Sequence, residues 1–169
     1  MEQLRTAAML MAGSHRLTGH IVIAGQRLQE ILNNKLSACL TVYDSHLFRR
    51  TGAQSPVVQL PEFTIPKTML DLVLLREEHH ELPTKRLYAF VQKGHYPVFL
   101  TIAGYEVQGQ LHLASYQKPE RILDDAGSNF IPITQATVTC ADEPEQVWET
   151  PVVFVRRSAI VLFYLAAPC

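Results

Sequence analysis

Hydrophobic and polar residues alternate along most of this chain, in runs broken by glycine, proline and polar clusters. Residues 15–23 put Leu17, Gly19, Ile21 and Ile23 on one face and Arg16, Thr18 and His20 on the other. A period of two marks a half-buried strand. Alternating or continuously apolar segments likewise read as strands over 7–12, 38–48, 57–65 and 68–75, and again over 97–102, 105–113, 130–140, 147–156 and 158–165. Leu28, Ile31 and Leu32 fall at helical spacing, predicting a short helix over Gln26–Asn34. Pro119–Asp125 repeats it, with proline at the first turn where its missing N–H costs nothing. Leu87–Gln92 is an extra candidate strand, with Lys93-Gly94-His95 as a turn after it. Gly19 inside its strand predicts a strong bend or a close backbone approach, and Pro61 and Pro66 predict edges or interruptions because neither donates to a ladder.

The pattern is written twice. Tyr105–Leu113 lies over His15–Ile23 at an offset of 90, with apolar positions and glycine coinciding. Ile122–Asp125 lies over Ile31–Asn34 at 91, and Ile133, Ala136 and Val138 lie over Val42, Ser45 and Leu47. Val155–Leu162 lies over Ile65–Leu72, again at 90. Four blocks in one order define a tandem duplication. Residues 1–75 form the first repeat and 86–169 the second, joined by the charged, proline-containing linker 76–85. Each unit reads as strand, strand, short helix, strand, strand, strand. The expected fold is mainly β: two tandem small five-stranded barrels. Units of this size gain most by packing together, so a pseudo-dimer is expected.

Composition narrows the function. The chain is 47% hydrophobic and 18% charged, too apolar for disorder. A formal net charge of −1 provides no general field for nucleic acid or anionic lipid. Cys39, Cys140 and Cys169 form no paired framework, as in a reducing cytoplasm. Residues 7–12 are too short for a signal-peptide core. The apolar run Ala159–Ala167 is half a membrane span and reads as a buried strand. The expectation is a soluble, cytoplasmic protein with no membrane partner.

The strand Val107-Gln108-Gly109-Gln110-Leu111, the strand ending Ile133-Thr134-Gln135-Ala136, and the closing Phe154-Val155-Arg156-Arg157-Ser158-Ala159-Ile160 resemble the small barrels of Sm-like and SH3-like proteins. Bacterial Sm-like RNA chaperones place a basic pair before Ala-Ile at this last junction. Arg121-Ile122-Leu123-Asp124-Asp125 and Phe130-Ile131-Pro132-Ile133-Thr134-Gln135-Ala136 resemble a narrower, uncharacterised bacterial domain family with "RLSDFLN", "FLPLTDA" and a last strand around "V-N-K-x-x-I". Two departures stand out. The helix lies between the second and third strands, not before the first, and the Asp-x-aromatic-Met-Asn loop that binds bases in Sm proteins is missing.

Arg156 and Arg157, with Lys67 at the equivalent place, are the candidate ligand contacts, for an anion, phosphate or acidic partner. The alternative is a solvated turn whose stems cover apolar surface. His79-His80 among glutamates reads as a solvated linker and not as a metal site. Asp124-Asp125 and Asp142, Glu143 and Glu145 sit at a helix end and in a loop, without the burial that acid–base catalysis requires. No nucleotide-binding or hydrolase motif is present. No enzyme, cofactor or metal is therefore expected. The favoured expectation is a protein-interaction or assembly module that pairs through free strand edges. Its edge residues are Ile160, Leu162 and Tyr164 in the last strand and Leu70 and Leu72 in its counterpart. The alternative is an Sm-like protein that binds RNA or single strands through Arg156, Arg157 and Lys67.

Overall fold

The computed structural model describes residues 4–52, 55–77, 93–124 and 127–168. Most of the linker and the candidate strand Leu87–Gln92 lie outside them, as do His79, His80 and Cys169. The first half contains β1 (Arg5–Ala12), β2 (His15–Val22), α1 (Leu28–Asn33), β3 (Cys39–Arg49), β4 (Val58–Pro66) and β5 (Leu72–Leu75). The second contains β6 (Lys93–Ile102), β7 (Tyr105–Ala114), β8 (Phe130–Cys140), β9 (Val147–Arg156) and β10 (Ile160–Leu165). Lys93-Gly94-His95, expected as a turn, opens β6, where it pairs with Leu113 and its neighbours on β7. In the second half the expected helix is only a 3₁₀ turn, Pro119–Arg121. The three residues of this turn bury no side chain.

All ten strands form one open antiparallel sheet in the order β10-β6-β7-β8-β9-β5-β1-β2-β3-β4. Within each half the order is last, first, second, third, fourth strand. The halves meet where β5 pairs with β9, in the register Leu72↔Val155, Val73↔Phe154, Leu74↔Val153 and Leu75↔Val152.

The duplication is visible in backbone detail. β2 shifts register against β3 between Thr18 and His20, and β7 against β8 between Gln108 and Gln110. The extra residue belongs to β3 and β8, where two residues face one glycine, and one of the two lies in the left-handed region, Asp44 at φ 49° and Gln135 at φ 47°. The glycines between are required by close approach. A methyl at Gly19 would lie 2.6 Å from Val42 Cγ1 and 2.7 Å from Tyr43 O. At Gly109 it would meet Ile133 Cγ2 at 2.6 Å and Thr134 O at 2.8 Å. A bulge of this kind bends its strand and increases the local twist.

Each half has its own core, and β5 and β9 serve both. Leu72, Leu74, Val153 and Val155 pack with Val107, Leu111 and Ile133 of the second half. Val73, Leu75, Val152 and Phe154 pack with Leu28, Leu32 and Val42 of the first. Burial on both faces explains why these two strands read as continuous apolar runs and do not alternate.

Candidate functional site

Among the described residues, β4 and β10 have a neighbour on one side only. They are the outer strands of the sheet. β10 exposes Val161 at 72%, Leu162 at 63% and Tyr164 at 65%, with Ile160 half-buried. The run expected to be buried is therefore an edge, because no described residue pairs with its outer side. β4 exposes Leu60 and alternates exposed Glu62 and Thr64 with half-buried Phe63 and Ile65. Beside β10 lies a groove of about 450 Å³, lined by Tyr96, Pro119, Ile122, Leu123, Phe163 and Leu165.

Leu70 and Leu72 lie elsewhere. Both are fully buried, and β5 is paired with β1 on one side and β9 on the other, so that edge is already occupied within the chain. The sequence pairs Leu72 with Leu162 by repeat. The structure gives Leu72 a strand on both sides and Leu162, among the described residues, a strand on one side only.

The basic residues are engaged internally to different degrees. Arg156 donates through Nε to Leu70 O at 2.6 Å, through Nη1 to Ser158 Oγ at 2.9 Å, and through Nη2 to Asp71 Oδ1 at 2.9 Å. Asp71, 5% exposed, also accepts the Gly13 amide at 2.9 Å. The pair thus ties β9 of one half to β5 and the β1–β2 hairpin of the other. Lys67 is 7% exposed, and its Nζ donates to Ile31 O at 2.6 Å and Asn34 O at 3.1 Å. It closes the carboxyl end of α1, where a cation is favoured. Burial lowers its pKa, and the Cys39 thiol nearby opposes that shift. Arg157 starts the 3₁₀ turn Arg157–Ala159 and is half-buried, with Nη1 enclosed and without a hydrogen-bond partner among the described residues. The three residues do not converge on one open cleft.

Further contacts lock the halves together. Arg50 donates to Ala103 O at 3.1 Å and pairs with Asp142 at 2.7 Å, and the Gly52 amide donates to Glu143 Oε1 at 2.7 Å. The acidic loop read as merely exposed is a tie across the molecule. Asn33 Oδ1 accepts the Asn129 and Phe130 amides at 2.8 Å each. Sequence reasoning passed over Asp71, Asn33 and Arg50. For Asp71 a signal existed: an aspartate stands inside an apolar run, where the repeat has Val161.

Among the described residues no three metal-ligating side chains converge, and no helix is long and apolar enough to cross a membrane. The fold and its edges define a class only: a mainly β protein made of one duplicated sheet. Comparison with protein-family models, curated proteins and solved structures finds no match.

Proposed function

We infer that this chain is a non-enzymatic assembly module, two fused small barrels of Sm-like strand order that associate through their strand edges. The observation that carries the reading is the β5–β9 joint. One unit already adds its last strand to the fourth strand of the other, and among the described residues the same two kinds of edge have no second neighbour at the ends of the sheet. Open edges with exposed apolar side chains are templates for further strand pairing. The near-neutral charge and high hydrophobic fraction agree with association. The resemblance to Sm-like barrels lends RNA binding less support, since Arg156 and Lys67 are held by internal partners.

The test is molar mass in solution at low and high salt, read with the ratio of absorbance at 260 and 280 nm. A salt-insensitive multimer with a clean protein spectrum is expected. Nucleic acid that co-purifies and leaves at high salt would overturn the reading in favour of RNA binding. A monomer of 19.1 kDa under both conditions would also overturn it.

A further inference from the structure

The internal joint specifies how a second one would be built. At the offset of 90 that relates the halves, β10 corresponds to β5 and β4 to β9. The correspondence holds in the ladders: Leu72 pairs with Met11, and Leu162 with Thr101. Likewise Ile65 pairs with Leu40, and Val155 with Ile131. We propose that the partner of each free edge is a second copy of this chain. β10 of one copy adds antiparallel to β4 of the next, in the register Leu162↔Ile65, Phe163↔Thr64, Tyr164↔Phe63 and Leu165↔Glu62. This rests on the assembly reading above and deepens it by naming partner, edge and register.

Backbone directions support that register. The Arg156 amide donates to Asp71 O at 3.0 Å, so alternation turns the amides of Phe154 and Val152 toward β5 as well. Their counterparts Thr64 and Glu62 then point outward from β4. On the other edge the Ala166 amide donates to Pro97 O at 2.9 Å, which turns Tyr164 and Leu162 toward β6 and leaves Phe163 and Leu165 outward. Donors and acceptors therefore meet at Phe163↔Thr64 and Leu165↔Glu62. Pro61 does not obstruct: its counterpart Pro151 lies just past the end of the β5–β9 ladder.

Side chains favour the same partner on one face. Leu72 and Leu74 are buried against Val153 and Val155. Their counterparts, exposed Leu162 and Tyr164, would lie against half-buried Phe63 and Ile65. Asp124, exposed at the turn matching Asn33, would accept the Ala38 and Cys39 amides, as Asn33 accepts those of Asn129 and Phe130.

The other face makes the joint weaker than the internal one. The groove beside β10 matches the place in the first half that Phe130, Val152 and Phe154 fill, and the next copy offers Cys39, Glu62 and Thr64 there. Val161 and Pro66 replace the Asp71–Arg156 pair, and Pro66 has no amide to donate. The joint between chains thus dissociates on dilution while the internal one persists. Because it joins unlike edges it is head-to-tail, and repetition gives a ring or a filament, not a closed two-fold dimer.

Two variants on exposed residues test this. Leu162→Lys places a charge on the β10 edge, and Thr64→Pro removes an outward amide from β4 without touching the β3 ladder. Each alone is expected to be a folded monomer of 19.1 kDa by light scattering and circular dichroism. Mixed in equal amounts they should form a one-to-one dimer, since each keeps the edge that the other lacks. A mixture that stays monomeric, or a single variant that still associates, would overturn the head-to-tail joint. If the wild type forms multimers in that case, the assembly reading survives and only the edge assignment fails; a monomeric wild type sinks both.

Discussion

At the scale of single residues, Tyr105 shows how burial and repeat interact. It occupies the place of His15, but it is 1% exposed and its hydroxyl has no hydrogen-bond partner among the described residues. Burial, aided by the Cys140 thiol nearby, pushes its pKa up to about 12. In an unfolded chain a tyrosine ionises near pH ~10. Between these values the unfolded state gives up a proton that the folded state keeps, so stability complete below the lower value is lost as pH rises through the higher. The loss is about 2–3 kcal/mol. Tyr105→Phe should equal or exceed the wild type at neutral pH and lose that much less across the alkaline window, as urea titrations at both ends would show. A variant clearly weaker at neutral pH would reveal an unseen partner for the hydroxyl. Asp71→Ala should be worse, because it strands a half-buried guanidinium and the Gly13 amide: a loss of about 2–3 kcal/mol in the same titrations. An unchanged midpoint would show that the pair does not hold the halves together.

Elements divide into those legible in the sequence and those that depend on their surroundings. The pattern of apolar positions placed eight of the ten strands within two residues of their bounds, and β5 and β6 begin four residues from where it put them. The duplication was legible from glycine and apolar coincidence, and the matching bulges at Gly19 and Gly109 give it a structural cause. Gly19→Ala and Gly109→Ala should each cost about 2 kcal/mol and lower the melting temperature by roughly 4–8 °C, because backbone stands in the way of the added methyl. Melting curves that superimpose on the wild type would contradict that account. The second helix was misread because Pro119–Arg121 keeps helical spacing without burying a residue. Lys67 was equally opaque: it looks like a surface cation, and only the fold sets its ammonium on the last carbonyls of α1. Lys67→Met should unpair Ile31 O and Asn34 O and destabilise by about 1–3 kcal/mol by urea titration. No change would mean that water serves those carbonyls equally well.

The whole molecule is asymmetric in a way its two similar halves do not announce. Identical strand types meet different fates: β5 and β9 are buried on both faces, while their counterparts β10 and β4 have one neighbour each among the described residues. The internal joint also carries Asp71–Arg156, Arg50–Asp142 and the Asn33 bonds. At the corresponding places the outer edges carry Val161, Pro66 and Asp124. Which edge is occupied was beyond the reach of periodicity, because pairing partners far apart in sequence leave no local trace.

The central claim is that both outer edges pair together. The most direct measurement is residue-resolved amide hydrogen exchange at dilute and concentrated protein. The account predicts that Phe163 and Leu165 on β10 and Thr64 and Glu62 on β4 gain protection together as concentration rises, with Phe154 and Val152 protected throughout. Fast exchange at all four outer amides at every concentration, or protection on one edge alone, would contradict it.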